Sequence, residues 1–232
     1  MVRKTNSRSH RALVSPRRAR RRDQQRDAIL RAAARLFRER GFAETGMRDI
    51  ADAAGLSAAN LYHYFNGKHE LLVYCQDRAL DRMLDSVAAA RRASRSATDR
   101  LRIVLTAHVQ TLLDDIEGAT AHLQVESLPP AQRNVIVKKR DRYEHALRRI
   151  IAEGTASGEL VHLDPAIVAR AMLGAMNWTV TWFRREGPDT ADTVGEVIAR
   201  FLTRGIASRT PAVTRPFPAR TTTPRGKGAA RQ

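Results

Sequence analysis

A single cysteine, Cys75, in 232 residues excludes an internal disulfide and fits a reducing compartment. Long apolar runs are also missing: the richest one, Ala171 to Phe183, is too short for the roughly 18 to 20 residues that cross a bilayer. The basic N-terminus has no apolar segment of the signal-peptide kind, so the chain reads as cytoplasmic, with no membrane partner. No nucleophile motif, phosphate-binding glycine loop or metal-hydrolase helix is present, so the expectation is a protein that is not an enzyme and holds no metal or cofactor. Acids are absent from both ends. Residues 1 to 22 hold nine Lys or Arg, and six more follow Ser208, so the ends carry +15 of the formal +17. With little to bury, residues 1–22 and 208–232 are expected to be disordered basic tails.

What remains is nearly neutral and helical in pattern. Strand-like alternation and internal repeats are lacking, while Ala, Leu and Arg abound and apolar residues recur at helical spacing. A first helix is expected from about Asp23 to Arg40, with Ile29, Ala33, Leu36 and Phe37 inward and Gly41 as its stop. A second runs from Met47 to Ala54. Ser57 then caps a third, Ala58 to Phe65, and Lys68 opens a long fourth that reaches Ala93. Two short helices separated by Gly55, Leu56 and Ser57 make a helix-turn-helix, whose second helix is built to enter a major groove.

The aromatics of GLSAANLYHYFNGKHELL, Gly55 to Leu72, divide by spacing. Leu61 and Phe65 are i and i+4 and face inward, whereas Ser57, Ala58, Asn60, Tyr62 and His63 project elsewhere. Ala58 and Ala59 allow close approach to DNA, Asn60 can bond an adenine edge bidentately, and His63 offers a contact to a base or a phosphate. The hydroxyls of Tyr62 and Tyr64 suit phosphates or core hydrogen bonds, and Lys68 can reach backbone phosphate. Packing alone would also account for such aromatics. Arg17 to Arg22 add a basic arm for phosphates or the minor groove, which we read mainly as general electrostatics.

The stretch FAETGMRDIADAAGLSAANLYHYFNGKHELL, with the preceding AAARLFRERGF, resembles the N-terminal domain of the TetR family of bacterial transcriptional regulators, from about Asp23 to Leu72. The matching positions include Ile50, Ala51, Ala54, Gly55, Leu61, Tyr62, Phe65, Lys68 and Leu71. The resemblance implies an all-α fold: a three-helix helix-turn-helix DNA-binding head, residues 23–72, on a larger helical ligand-binding and dimerisation domain, residues 73–207. It also implies phosphate contacts from Ser57, Tyr62 and Lys68, and base contacts from Ala58, Ala59, Asn60 and His63. Gly46 departs from the Ser or Thr usual in the family, so its hydroxyl contact would fall to Thr45 or Arg48.

In the larger domain, Leu101, Leu105, His108, Leu112 and Ile116 share a stripe, which places His108 on an apolar face as a packed histidine or a ligand contact. A helix from about Ala131 to Ser157 carries Ile136, Tyr143, Leu147, Ile150 and Ile151, with Arg140 near the stripe, to meet an anionic ligand or to pack its stem. The segment from Asp164 to Gly187 and Pro188 is expected to be one helix, followed by another from Thr190 to about Ala207. Two apolar sides, Val168, Met172, Met176, Thr179 and Phe183 on one and Ala171, Ala175, Trp178 and Trp182 on the other, call for two packing partners. One is the interior and the other a second subunit, giving a four-helix homodimer interface and hence a palindromic double-stranded DNA operator.

The run LGAMNWTVTWFRREGPDT also resembles a branch of the family that represses lipid or sterol catabolism and is released by acyl-coenzyme A thioesters. That resemblance implies a small hydrophobic effector of the acyl-CoA type: Met172, Met176, Trp178, Trp182 and Phe183 for its apolar tail, and Arg184 or Arg185 for its phosphates or pantetheine. Ordinary core and dimer packing accounts for the same residues. Other readings are a regulator of efflux or stress genes answering another small molecule, an architectural DNA binder, and a metal sensor built on His122 with Glu126 and Asp141 with His145.

Overall fold

The computed structural model describes residues 16–113, 125, 128–184 and 186–208. The described residues form α1 (Pro16–Arg40), α2 (Met47–Ala53), α3 (Ala58–Tyr62), α4 (Lys68–Ala93), α5 (Ala97–Leu113), α6 (Pro130–Ala156), α7 (Pro165–Asn177), α8 (Thr179–Trp182) and α9 (Ala191–Ile206). The fold is all-α, as expected, and the one extended pairing among these residues is the isolated bridge between Leu160 and Ala207.

α1 corrects the expected boundary of the basic arm. It begins at Pro16, so Arg17 and Arg20 to Arg22 stand on a helix rather than in an irregular tail. The composition of this stretch offers nothing to bury, but proline fits the first helical position and Arg, Ala and Gln are strong helix formers that continue into the packed part of α1. Residues 1–15 and 209–232 lie outside the described residues.

The head closes over a small core of Ile29, Ala33, Phe37, Ile50, Leu61 and Phe65, all buried. Gly41 and Gly55 end α1 and α2 at φ +85° and +67°, a backbone that L side chains rarely adopt. α4 ties this head to the body. Three turns along it Arg78 pairs with Asp27 of α1, and the Arg26 guanidinium lies 4.7 Å from the Tyr74 ring and 5.3 Å from that of Phe65.

α5 is the centre of the body, packed against α4, α6, α7 and α9. Its N-terminus is capped from a distance by Glu159, which accepts from the Ser96 hydroxyl at 2.6 Å and from the Ala97 and Thr98 N–H groups at 3.2 and 3.1 Å. Gly154 allows the α6 turn behind this cap to close, since a Cβ there would stand 2.6 Å from Leu160 Cδ1 and 2.9 Å from Ala97 Cβ.

The expected single helix from Asp164 to Gly187 is not continuous. Asp164 caps α7 as predicted, accepting from Ala166 and Ile167 N–H, but α7 stops at Asn177 and the one-turn α8 ends at Trp182. Thr179 and Thr181 donate to the carbonyls of Met176 and Trp178, both at 2.7 Å, in the tight i−3 pattern, and Thr179-Val180-Thr181 is a β-branched run. Both features disfavour a regular α-helix.

Candidate nucleic-acid interface and effector core

The turn between α2 and α3 is held by hydrogen bonds from Gly55 N to Asp52 O (3.1 Å) and from Leu56 N to Ala51 O (2.9 Å). Ser57 is the N-cap of α3: its side chain accepts from Asn60 N at 3.2 Å, which leaves its hydroxyl hydrogen to donate outward. Leu61 is buried, while Ser57, Ala59, Asn60, Tyr62 and His63 are exposed and Ala58 is half-buried. Arg48 on α2 is exposed as well. One short helix thus presents a small-residue approach, an amide and two polar aromatic tips on a single uncovered side. The third helix ends at Tyr62 rather than Phe65, because Tyr64 N bonds to Leu61 O at i−3 and tightens the last turn.

Two of the expected phosphate contacts are corrected. Thr45 is buried, and its hydroxyl donates to Gly41 O at 2.8 Å and to Leu36 O at 3.3 Å, so it ties the end of α1 to the start of α2 and faces no solvent. Lys68 is spent internally too. Its ammonium donates to the carbonyls of Phe42 (2.9 Å), Ala43 (3.0 Å) and Thr45 (3.4 Å) and lies 4.7 Å from the Phe42 ring centre. Three carbonyls that no helix satisfies draw the lysine back, a demand invisible until the α1–α2 loop is placed beside α4. At Gly46, the backbone N–H donates to Asp49 Oδ2 at 2.8 Å, so the missing hydroxyl is offset by a carboxylate in the first turn of α2.

In the body, α5, α6 and α7 converge on three polar groups, of which His108 and Tyr143 are buried and Asn177 is half-buried. His108 Nδ1 is 3.1 Å from Tyr143 Oη, and Nε2 is 3.1 Å from Asn177 Oδ1. Both ring nitrogens are satisfied when Tyr143 donates to Nδ1 and the Nε2–H donates to Asn177 Oδ1. The His108 and Tyr143 rings stack at 5.5 Å. Burial pushes the His108 pKa down to about 4, against a smaller upward pull from Asn177, so the ring is neutral at pH 7. Burial also raises the Tyr143 pKa, which keeps its hydroxyl a donor. Met172 and Met176 are buried on the same side of α7, and Arg140 reaches Gln76 of α4 at 3.3 Å.

The effector residues expected from sequence therefore do not form one set. His108, Met172 and Met176 are brought together in the interior, and Phe183 packs half-buried against the same core. Trp178 and Trp182 point away from it, 67% and 46% exposed, on the outer side with Ala171 and Ala175. Arg184 is exposed and donates to Thr181 O and Phe183 O, and Arg185 lies outside the described residues. Asn177 and Tyr143 were missed as site residues; an asparagine between Met176 and Trp178 in an otherwise apolar run was the available signal. Of the pairs considered for a metal, His122 and Glu126 lie outside the described residues, and His145 Nδ1 stands 2.6 Å from the backbone oxygen of Asp141.

Residues 29–75 match the family described as bacterial regulatory proteins, tetR family, and residues 94–206 match the tetracyclin repressor-like C-terminal domain. The HTH-type transcriptional repressor KstR2 of Mycobacterium tuberculosis is 30% identical over 193 residues, covering 78% of this chain and 92% of that protein. Its solved structure, that of a ketosteroid transcriptional regulator, aligns at TM-score 0.70 and 24% identity over 84% of this chain and 97% of that one. The TetR family regulator PfmR from Thermus thermophilus aligns at TM-score 0.70 with 33% identity, over 76% and 97% of the two chains. AibR, solved in complex with isovaleryl coenzyme A and operator DNA, shares the fold at TM-score 0.65 and 23% identity, over 77% and 98%. With both of its domains matched in order and a repressor related along nearly its whole length, the chain belongs to the TetR family of bacterial regulatory proteins.

Proposed function

We propose that this protein is a homodimeric transcriptional repressor that leaves a palindromic operator when an acyl-coenzyme A thioester binds its body. The observation that carries the DNA-binding part is the uncovered side of α3, where Ser57, Asn60, Tyr62 and His63 stand exposed beside small Ala58 and Ala59 on a helix anchored by Leu61. Asn60 and His63 read base edges, the two alanines admit the helix to the groove, and Ser57, Tyr62 and Arg48 hold phosphates. Two copies joined through the outer faces of α7 and α9 place two such helices on one face of the duplex. Ile167 on α7, Trp178 at its C-cap and Phe201 on α9, 66%, 67% and 74% exposed, supply the apolar surface for that contact.

The acyl group belongs among Met172, Met176 and Phe183, where unbranched thioether side chains repack readily. The carbonyl of the thioester suits the His108, Tyr143 and Asn177 cluster, whose neutral hydrogen bonds can be exchanged without burying a charge. Its effect on DNA can be no larger than its preference for the released state over the bound one. The experiment is binding of the protein to DNA from its own upstream region at fixed salt, with and without acyl thioesters graded by chain length. Release by one chain class is the expected result; specific binding that no thioester disturbs would remove the thioester and keep the repressor.

A further inference from the structure

A basic stripe on the body remains outside this account. Lys138, Arg142, His145 and Arg149 follow one another on α6 at spacings that bring them onto a single side of the helix. They form one wall of a groove of about 880 Å³, whose other wall is Leu84, Ala88 and Arg91 of α4. Buried Val87 and Ala146 make its apolar floor. Asp85 and Asp141 also line it, and Arg91 is bonded to Glu153, yet the groove keeps a net positive charge.

Several neighbouring cations are matched: Lys139 of α6 with Asp77 and Asp81, Arg148 of α6 with Glu144, and Arg100 of α5 with Glu153. Lys138, Arg142 and Arg149 are exposed and form no ion pair among the described residues. Lys138 and Arg142 are like charges at i, i+4, which oppose the helix that carries them, and an anion lying along the stripe relieves that repulsion. The operator is too distant to be that anion. α4 starts in the head at Lys68, and Leu84 to Arg91 lie about 24 to 35 Å further along it. The stripe runs about 16 Å, room for a diphosphate and its nucleoside, with the apolar floor for the part between charges.

We propose that the α4–α6 groove binds the phosphorylated nucleotide end of the effector, the 3′-phospho-ADP end of coenzyme A. Lys138, Arg142 and Arg149 meet the phosphates, and the ligand bridges the helix that carries the head to a helix of the body. This inference rests on the thioester reading above and is separable from it.

The test titrates coenzyme A without an acyl group, adenosine 3′,5′-bisphosphate and inorganic pyrophosphate into the full-length protein by calorimetry. A companion protein carries Lys138→Gln, Arg142→Gln and Arg149→Gln, all exposed positions, and thermal melting checks that its fold is unchanged. The expected result is that coenzyme A and the bisphosphate compete for one site, pyrophosphate competes more weakly, and the triple variant binds coenzyme A roughly tenfold or more weakly with unchanged DNA affinity in its absence. Equal binding of coenzyme A to both proteins, or to neither, overturns the proposal. A triple variant that loses DNA affinity without ligand also overturns it, by assigning the stripe to DNA. Coenzyme A held by the groove while no thioester releases DNA would sink the thioester reading alone. Release of the triple variant at the wild-type thioester concentration would sink the groove alone.

Discussion

Lys68 holds the carbonyls of Phe42, Ala43 and Thr45 and sits on the Phe42 ring, so its removal takes a charged donor from three loop carbonyls, two of them part-buried. Lys68→Ala should therefore destabilise the protein by roughly 1 to 3 kcal/mol, measured by chemical denaturation, with the salt slope of DNA binding unchanged. Asn60 is the contrasting case. Exposed on α3, it can be cut to alanine without loss of stability, and Asn60→Ala should remove about 1 to 3 kcal/mol of discrimination at one base pair, read by binding to single-substitution operators. Equal losses on specific and random DNA would show that Asn60 reads no base. His108 adds a pH dependence. Its folded pKa of about 4 lies below the 6.5 of an unfolded histidine, so the unfolded chain binds the extra proton between these values. The stability that this ring contributes is complete above pH 6.5 and declines as pH falls toward 4, by about 3 kcal/mol in all. Denaturation of His108→Gln across pH 4 to 7 should show a slope flatter by up to one proton. Sequence spacing identified the buried and exposed sides of α3 because a helix fixes which residues share a face; the family resemblance pointed Lys68 and Thr45 to phosphate, whereas their partners here are carbonyls, and carbonyls carry no residue identity.

At the level of the helix, boundaries were legible where a cap or a glycine marks them. Gly41, Gly55, Ser57 and Asp164 each sit where the pattern put them, and α4 spans Lys68 to Ala93 as expected. The break after Asn177 was not legible, since apolar spacing runs on through Phe183 and the threonine hydroxyls that bond back to i−3 carbonyls are a local choice that periodicity does not record. The start of α1 at Pro16 escaped for the opposite reason: nothing there is buried, so propensity alone sets it. Glu159 offers a test of one helix end. Partial burial alone would raise its pKa, but hydrogen bonds from Ser96, from the Thr98 and Ala97 N–H groups and from Ser157 hold it at about 2. Its contribution is fully present above the ordinary carboxylate pKa and is lost as pH falls through about 2. Glu159→Gln should remove that dependence and lower the melting temperature at pH 7, and a variant whose acid limb matches the wild type would refute this capping role.

At the scale of the whole molecule, a single chain leaves apolar surface uncovered at Ile167, Trp178, Trp182 and Phe201. The two apolar sides expected of the segment that became α7 and α8 separate accordingly: Met172 and Met176 are buried, whereas Trp178 and Trp182 are not. Trp178→Glu combined with Phe201→Glu should yield a monomer at micromolar concentration in sedimentation. Binding to a full palindrome should fall about 10²- to 10⁴-fold, while binding to an isolated half-site stays the same. A dimer that persists would place the subunit contact on another surface.

α4 carries a mechanical consequence. At 26 residues it is about 39 Å long, a stiff rod with the head at one end and the body at the other. Pivoting that rod by about 5° at its body end would sweep the head by about 3.4 Å, the rise of one base pair. A displacement too small to disturb the packing of the body would thus put a recognition helix out of step with its groove, and two mirrored displacements in a dimer would double the error.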